Sequence, residues 1–333
     1  MKCNLVVDTN FLLNRNAFAL DKEKTLYGDL LKSLITTIEL YERQYHYKNV
    51  FIVCDAKTSW RKMIYADYKG TRKKDENMDW EFIFNTYEQF KQEIKESGRY
   101  ILLEGDHLEG DDWVSYIVKE SNKQNESCVI IASDVDLNQT LAMSLSPLWI
   151  NVQVKDIFKH EKVFFPENYR LFISKLKQEK NSLFKLNEAP IFHQFLNELT
   201  NRRKIEETSP QAVIFKKLIS GDTGDNIKSI IFSRNINPKT GKETIRGIGD
   251  KGAEKIYAEY MNTYPELIDF TSKIFAKRII AMVKKFKKDT TTDNNIILER
   301  LFLNLRLVHL DTRYMPENTK FILTEKYNQT RKV

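Results

Sequence analysis

Carboxylates follow several apolar runs of this sequence, and the pattern points to metal chemistry. The run CVIIASDVD ends in Asp134 and Asp136, LVVD ends in Asp8, and FIVCD ends in Asp55. Apolar, β-branched runs of this length predict buried strands. Functional groups collect beyond the carboxyl ends of strands in open α/β sheets. We therefore expect these acids to lie close together.

Two further acidic groups extend the set, because YILLE leads into EGDD and SGDTGDN follows a predicted helix. Like charges in one pocket raise each other's pKa, and the hard cations Mg²⁺ and Mn²⁺ prefer carboxylate oxygens. Nine acids exceed the needs of one ion, so we expect two or more Mg²⁺ ions, with Mn²⁺ as an acceptable substitute. The predicted ligands are Asp8, Asp55, Glu109, Asp111, Asp112, Asp134, Asp136, Asp222 and Asp225.

Some of these acids also have a simpler interpretation. Asp111 and Asp112 fall in the first turn of a predicted helix, where the helix dipole favours negative charge. Others could be helix caps or solvated loop acids. For Asp112 the structural and functional interpretations stand level, whereas for Asp8, Asp134 and Asp136 the metal interpretation is much the stronger.

A basic and aromatic segment, TSWRKMIYADYKGTRKK, follows the second predicted strand. Lys69 and Arg72 are suited to holding a scissile phosphate and offsetting charge in the transition state. Tyr65 and Tyr68 are suited to stacking on a base, since every base has a π-face. Arg61 lies just upstream as a further nucleic-acid contact. The alternative interpretation of this segment is a solvated basic loop.

A glycine-rich sequence, GIGDKGA, precedes a predicted helix near residue 250. Its residues Gly247 and Gly249 permit a close turn, after which the backbone N–H groups of the helix N-terminus can meet a phosphate. With Lys251, such a turn grips a nucleic-acid backbone without reading its base sequence. The pattern is moderately specific for a helix–hairpin–helix element.

The elements that must position these residues follow from periodicity. Strands at 4–8 and 50–55 with a helical period over 26–47 between them predict a parallel sheet with a crossover helix. Residues 167–205 predict mostly helix with no strand pattern, and 229–244 predict a hairpin or long loop. The other predicted strands are 100–104, 128–133, 149–154 and 162–165, and the other predicted helices begin near 80, 110, 211, 250 and 275.

Composition narrows the class of protein. The chain of 333 residues carries 53 Lys+Arg against 46 Asp+Glu, a net charge of +7. If the acids gather in one site, the remaining surface is more basic than this total, which favours a polyanionic partner. Cys3, Cys54 and Cys128 lie in predicted core strands without disulfide spacing. We recognise no signal peptide and no membrane span in the sequence, so we expect a cytoplasmic protein.

Taken in order, these motifs resemble the 5′-nuclease superfamily, which includes flap endonucleases and the phage 5′→3′ exonucleases with RNase H activity. The likeness is greatest to the phage enzymes and runs from Asp8 to about residue 260. It implies an α/β PIN-like core at 1–180, with a twisted, mostly parallel sheet, helices on both faces and a helical arch at about 60–97. It also implies a helical region at 181–333 that contains the helix–hairpin–helix.

The resemblance also implies roles for the site residues. Asp8, Asp55, Glu109 and Asp111 match the first metal cluster of the family, and Asp112 is an extra acid. The second cluster is matched by Asp134, Asp136, Asp222 and Asp225. The arch base is matched by Tyr68, Lys69 and Arg72, and the duplex-binding turn by Gly247, Gly249 and Lys251. In some relatives this turn holds K⁺.

The sequence departs from the family pattern in two places. The first motif reads VDTN, where many members have a glycine after the aspartate, and the interval from Asn226 to Gly247 is longer than in the compact bacterial pattern. This longer interval and the size of the chain resemble the phage replication nucleases. If the protein is phage-encoded, the expected location is the host cytoplasm.

The expected function is therefore a structure-selective 5′→3′ nuclease with a two-metal mechanism. Its expected substrates are RNA–DNA duplexes, 5′ flaps and nicked or gapped DNA, as in RNA primer removal during replication. We expect a monomer, with a single-strand-binding protein or a sliding clamp as partner. The alternatives are a catalytically silent branched-DNA-binding protein and a PIN-type ribonuclease, although the latter does not explain GIGDKGA.

Overall fold

The computed structural model describes residues 2–22, 29–144, 149–157, 160–178, 188–201, 203–236, 243–289 and 291–330. The chain forms two compact units. Unit 1 consists of Met1–Trp60, Lys74–Pro210 and Leu310–Val333, and unit 2 consists of Arg61–Lys73 and Gln211–His309. The predicted boundary between 180 and 181 and the predicted helix start at Leu26 lie outside the described residues.

Unit 1 is built on a mostly parallel sheet, as the sequence predicts. Its spatial order is β3-β2-β1-β4-β6-β7-β8, and β5 also pairs with β6. The pairs β6–β7 and β5–β6 are antiparallel, whereas the other pairs are parallel. The strands are β1 (Cys3–Asp8), β2 (Asn49–Val53), β3 (Ile101–Leu103), β4 (Ser127–Ile131), β5 (Met143–Ser144), β6 (Trp149–Ile157), β7 (His160–Pro166) and β8 (Lys204–Thr208).

The central strands β1 and β4 are buried along their whole length. Helices cover both faces of a parallel sheet, so a continuous apolar run is the expected pattern for such strands. The predicted strands therefore match the sheet closely, and the three cysteines are free and buried in or beside it, as predicted.

Helices complete unit 1. Helix α4 shows how the sequence sets its ends: the Asp79 carboxylate accepts the N–H of Phe82 at 3.0 Å, and Gly98 ends the helix with a φ of +60°. The helices of unit 1 are α1 (Thr9–Lys22), α2 (Leu30–Glu42), α4 (Trp80–Ser97), α5 (Gly110–Lys123), α6 (Tyr169–Gln178), α7 (Glu188–Thr200) and α12 (Glu317–Thr330). The short helix α3 (Trp60–Ile64) begins at the last residue before the 61–73 segment of unit 2.

Unit 2 is mainly helical. A cluster of aromatic rings forms part of its core, with the ring of Phe215 5.3 Å from Tyr260 and 6.0 Å from Phe275. Of the two interpretations of residues 229–244, a hairpin or a long loop, the hairpin agrees with the antiparallel pairing of residues 233–236 with 243–246. The elements of unit 2 are α8 (Pro210–Ser220), β9 (Ser233–Ile236), β10 (Glu243–Arg246), α9 (Asp250–Thr263), α10 (Lys273–Lys287) and α11 (Asn294–Val308).

Strand β8 corrects the prediction that residues 167–205 are helical without strand. Its sequence, KIEET, carries three charged residues in five, and the strand lies at the edge of the sheet, only partly buried. Such an edge strand lacks the apolar run that marks a central strand. Its place comes from pairing with β7, where Phe164 is the register partner of Glu206.

The segment predicted to form an arch, at about 60–97, is divided between the units. Residues 61–73 belong to unit 2, and α4 packs within unit 1 through Ile83, Phe90 and Ile94. Its formation of an arch stays a prediction. In the parts of the chain that the structure describes, no helix has the length and apolar character needed to cross a membrane.

Candidate active site

The acids of unit 1 gather where the parallel strands end. Asp8 is the last residue of β1, and Asp55 lies two residues beyond β2. Strand β1 pairs with β2 on one side and with β4 on the other, and Asp134 follows β4. The first turn of α5, preceded by Glu109, contributes Asp111. The neighbouring strands therefore bring acids from four separate parts of the sequence to one edge of the sheet.

Asp8 and Asp55 are joined by local hydrogen bonds. Oδ1 of Asp8 accepts the backbone N–H of Asn10 at 3.1 Å, and the side-chain amide of Asn10 donates to Oδ2 of Asp55. Oδ1 of Asp55 accepts the N–H of Gly110 at 2.6 Å. A side chain at position 110 would begin 3.1 Å from Asp55 Oδ1 and 3.6 Å from Asp8 Oδ1. Glycine therefore lets α5 begin directly against both carboxylates.

The electrostatics of unit 1 show that these carboxylates act on one another. Burial, followed by the charge of Asp55, raises the pKa of Asp8 to about 7. Burial also raises the pKa of Asp111 well above its usual range, and the charges of Asp134, Asp8, Asp55 and Glu109 raise it further. Burial and the charges of neighbouring carboxylates thus penalise the charged forms of Asp8 and Asp111.

The donor set fits a hard divalent cation. Every side chain in this cluster is a carboxylate, the oxygen ligand that Mg²⁺ takes, and Gly110 leaves space beside two of them. Within the described residues, no three His, Cys, Asp or Glu side chains are arranged ready to hold an ion. Oδ1 of Asp8 and both oxygens of Asp55 accept hydrogen bonds from N–H donors.

Asp112 has a structural role. It is fully buried, and its Oδ2 accepts both the indole N–H of Trp60 at 3.1 Å and the N–H of Glu109 at 3.0 Å. Oε2 of Glu109 in turn accepts the Ser59 hydroxyl at 2.8 Å. Glu109 and Asp112 together form a capping box at the start of α5. These contacts account for Asp112 without a metal, and its function as a ligand stays a prediction.

Asp134 and Asp136 lie together after β4. Oδ1 of Asp134 accepts the backbone N–H of Asp136 at 2.8 Å and so caps the short 3-10 helix Val135–Thr140. The amide of Gln153 on β6 donates to the carbonyl of Asp134 at 2.8 Å, which fixes the backbone there. The Asp134 side chain is exposed, so its carboxylate remains accessible to a ligand.

The acidic loop of unit 2 has a different environment. Oδ1 of Asp222 accepts the N–H of Gly224 at 2.7 Å, and Lys217 on α8 forms an ion pair with Oδ2. Burial alone would raise the pKa of Asp222, but the Lys217 ammonium and these backbone donors outweigh it and lower the pKa. Gly221 has a φ of +72°, and a Cβ there would lie 2.3 Å from the carbonyl oxygen of Ile227, so the loop requires glycine.

The 61–73 segment packs on this loop within unit 2. The Arg72 guanidinium pairs with Oδ1 of Asp225 at 2.5 Å, and its Nε donates to the carbonyl of Gly224 at 3.2 Å. The backbone N–H of Lys69 donates to the carbonyl of Asp225 at 2.9 Å. The hydroxyl of Tyr65 donates to the carbonyl of Asn226 at 3.2 Å. The structure thus brings the predicted arch-base residues to the GDTGDN loop.

Two aromatic and basic side chains of this segment are not on the surface. Arg61 is 2% exposed, and its Nε donates to the carbonyl of Leu307 at 2.9 Å. Tyr68 is 4% exposed, and the Lys69 ammonium lies 5.1 Å from its ring centroid. Both side chains are buried and pack within the structure. The DNA contact predicted for Arg61 and the base stacking predicted for Tyr68 stay predictions.

The three predicted residues of the GIGDKGA turn differ in how the fold uses them. A Cβ on Gly247 would lie 2.5 Å from the Cβ of Ser229, so glycine is required there. Gly249, at the N-cap of α9, has a φ of −84°, and a Cβ there would meet no atom within 4 Å, so the fold itself does not require glycine. Lys251 is exposed in the first turn. The start of α9, from Gly249 to Lys251, is therefore exposed to solvent.

The sequence from residue 4 to residue 170 matches the family described as 5′-3′ exonuclease, N-terminal resolvase-like domain, which covers half of the chain. The chain belongs to the 5′-3′ exonuclease family. The matched range contains every predicted ligand of unit 1, together with the basic segment around Lys69. The GDTGDN and GIGDKGA sequences lie beyond it.

Individual members of the exonuclease family and of its relatives agree with this assignment. The ribonuclease H of Enterobacteria phage T4 is 26% identical over 142 residues, a match that spans only 41% of that protein and 41% of this chain. The 5′-3′ exonuclease of Mycoplasmopsis pulmonis is 21% identical over 299 residues, which cover 89% of this chain and 78% of that protein.

Solved structures of phage T5 proteins share the fold of this exonuclease-family chain. The T5 5′-exonuclease with bound zinc has a TM-score of 0.61 at 18% identity, and the match covers 100% of this chain and 99% of that one. The T5 flap endonuclease in a pseudo-enzyme-product complex with DNA and metal ions has a TM-score of 0.61 at 18% identity, covering 99% and 98%. At 18% identity, this similarity shows a shared fold and nothing further.

Sequence reasoning missed three residues that organise the acids of this family member. Asn10 bridges Asp8 and Asp55, Ser59 donates to Glu109, and Lys217 pairs with Asp222. A signal existed for two of them. Asn10 follows a strand-end acid by two positions, and Lys217 lies in the last turn of the helix that leads into GDTGDN. No local pattern pointed to Ser59.

Proposed function

We propose that this chain is a divalent-metal-dependent, structure-selective 5′→3′ nuclease. It would hydrolyse phosphodiester bonds of RNA–DNA duplexes, 5′ flaps and nicked or gapped DNA, as RNA primer removal requires. The observation that carries the proposal is the cluster at the strand ends of unit 1, in which the pKa values of Asp8 and Asp111 are raised by burial and by neighbouring carboxylates. Such a costly arrangement is expected where carboxylates serve a bound cation.

The residues that would hold Mg²⁺ or Mn²⁺ are those of this cluster, with Asp136, Asp222 and Asp225 as the predicted remainder of a two-metal site. When bound, divalent cations would offset negative charge on the reacting phosphodiester and orient it. The carboxylates of Asp8 and Asp55 would face these cations from β1 and β2. Gly110 would keep the start of α5 from filling the space between them.

The side chains of Lys69 and Arg72 would bind the scissile phosphate. Both lie on a segment that several hydrogen bonds hold against the acidic loop of unit 2. A fixed guanidinium and ammonium stabilise charge that develops in the transition state without reorganising. The Arg72 guanidinium already binds a carboxylate, Asp225, so it has the geometry that a phosphate oxygen requires.

Duplex DNA would bind at the turn before α9. Open space at Gly249 and an exposed Lys251 support a close approach of a phosphate to the first-turn N–H groups. The family resemblance is what supports K⁺ at this turn, a monomeric state, and a single-strand-binding protein or sliding clamp as partner. It also supports a cytoplasmic location, which is the host cytoplasm if the protein is phage-encoded.

The test uses a 5′-labelled flap and a 5′-labelled RNA–DNA duplex. With Mg²⁺ the wild-type protein should shorten both from the 5′ side, and EDTA should stop cleavage. Asp134→Asn should abolish cleavage and leave DNA binding largely intact. Asp106→Asn is the control, because Asp106 is, like Asp134, an exposed acid of unit 1 but is not a predicted ligand, and this variant should cleave like the wild type.

Other outcomes would select an alternative. Tight binding to branched DNA without Mg²⁺-dependent cleavage would indicate a catalytically silent DNA-binding protein. Cleavage of single-stranded RNA in preference to both duplex substrates would indicate a PIN-type ribonuclease. Equal cleavage by the wild type and Asp134→Asn would remove Asp134 from the ligand set.

A further inference from the structure

A buried hydroxyl network lies directly behind the two central acids of unit 1. Thr9 follows Asp8, and Cys54 precedes Asp55. The Thr9 hydroxyl contacts three groups: the carbonyl of Val53 at 2.6 Å, the Cys54 sulfur at 3.4 Å, and the hydroxyl of Tyr87. Thr9 and Cys54 are 1% and 0% exposed, so these contacts are buried.

The number of protons that each group can donate sets the direction of these hydrogen bonds. A carbonyl oxygen only accepts, so the single hydroxyl proton of Thr9 goes to Val53. The Thr9 oxygen then accepts, and the phenol of Tyr87 is its donor. The network thus runs from α4, which carries Tyr87, through Thr9 to the end of β2.

This network lies just beyond the last paired residues of β1 and β2, the strands that lead to Asp8 and Asp55. The last pair in the register of β1 and β2 is Asp8 with Val53. The bond from Thr9 to the Val53 carbonyl adds one more link beyond that pair, on the side of the carboxylates. The relative placement of Asp8 and Asp55 therefore depends on a side-chain bond that Tyr87 holds in place.

We propose that the hydroxyl of Tyr87 is a positioning group for the carboxylates of Asp8 and Asp55, acting through Thr9 and Cys54. The inference rests on the proposed function, because it assigns Tyr87 to the site where a divalent cation would bind. Outer contacts that orient ligands affect metal affinity by about 10- to 100-fold in known sites. The Tyr87 ring itself is held separately, by stacking on Phe90 at 5.9 Å.

The test measures Mn²⁺ binding by electron paramagnetic resonance of the free ion, without any substrate. Tyr87→Phe removes only the hydroxyl, so we expect a folded protein whose Mn²⁺ affinity is lowered about tenfold. Tyr100→Phe is the matched control, because its hydroxyl donates at 3.1 Å to Glu42, which is not one of the predicted metal ligands. This control should bind Mn²⁺ as the wild type does.

Substitutions at Thr9 test the path. Thr9→Ser keeps the hydroxyl and should keep the wild-type affinity, whereas Thr9→Val should weaken Mn²⁺ binding as Tyr87→Phe does. The double variant Thr9→Val with Tyr87→Phe should bind no more weakly than either single variant, because both changes break one connection.

The outcomes separate this inference from the function on which it rests. If the wild type binds Mn²⁺ and Tyr87→Phe binds it equally well, the positioning role is wrong and the proposed nuclease function is unaffected. Equal weakening by Tyr87→Phe and Tyr100→Phe would likewise overturn the inference, since it would reflect general destabilisation. A wild-type protein that binds no Mn²⁺ would overturn both.

Discussion

The carboxylates of unit 1 and those of unit 2 differ in what surrounds them. In unit 1, Asp8 and Asp111 are packed with other acids, and their pKa values are raised. In unit 2, Asp222 accepts two backbone N–H groups and an ammonium, and its pKa is lowered. Asp225 likewise has a guanidinium beside it. Neighbouring groups therefore destabilise the charged form of the carboxylate in unit 1 and stabilise it in unit 2.

The comparison separates acids whose charge the fold already balances from acids whose charge it leaves opposed by other carboxylates. The ion pair of Asp222 with Lys217 and its backbone hydrogen bonds stabilise the loop with no metal required. At Asp111, burial and four neighbouring carboxylates all act in the same direction, against the charged form. A divalent cation would relieve this repulsion, so unit 1 should respond to metal far more strongly than the loop of unit 2.

The largest expected effect comes from a matched pair of substitutions. Asp111→Asn should lower cleavage by a factor on the order of 10²–10³, and in EDTA it should raise the melting temperature, because one repelling charge is removed. Asp222→Asn should lower the melting temperature, because Lys217 loses its charged partner, at a cost of about 1–3 kcal/mol. Differential scanning calorimetry in EDTA with a flap-cleavage assay measures both. A lower melting temperature for Asp111→Asn would contradict the claim that the neighbours of Asp111 destabilise its charged form.

The pH dependence of stability tests the same difference with no substitution. The pKa of Asp8 is about 7 in the folded protein against an ordinary value of 3.8, so the folded state binds this proton more tightly. In EDTA, stability should therefore fall as pH rises from about 4 to 7, by a few kcal/mol. Saturating Mg²⁺ should remove this fall, and urea unfolding at about pH 5 and pH 8 measures it. A stability in EDTA that rises over this interval would contradict the raised pKa.

A smaller effect is expected at the glycines of the GIGDKGA turn. Gly247→Ala forces a Cβ against Ser229 and should cost about 1–3 kcal/mol of stability. Gly249→Ala meets no neighbour and should change stability by less than about 0.5 kcal/mol, while weakening duplex binding. Urea unfolding and fluorescence anisotropy with a labelled duplex measure the two properties. Unchanged DNA binding by Gly249→Ala would leave the turn with a purely structural role.

Much of the fold was predictable, because central parallel strands carry a signal that survives without tertiary context. The runs around Val6 and Ile130 are buried on both faces and contain little else but apolar residues. Strand β8 lacks that signal, since its place depends on its pairing with β7. The return of α12 to unit 1, where Tyr327 stacks on Phe51 at 6.2 Å, also depends on a contact between distant parts of the chain.

The site was predictable in its residue types and less so in its contacts. Acids at strand ends share an edge because parallel strands end together, and this follows from periodicity alone. The hydrogen bond of the buried Arg61 to Leu307 and the pairing of Arg72 with Asp225 join positions that are far apart in the sequence. Composition predicts basic residues near nucleic acid, but it cannot show which of them the fold buries.

The most direct test of the account is the anomalous diffraction of crystals grown with Mn²⁺. The account predicts anomalous peaks within coordination distance of the carboxylates of Asp8, Asp55, Asp111 and Asp134, with the Asn10 amide turned away from Asp55. An active protein whose crystals show no Mn²⁺ at these carboxylates would contradict it.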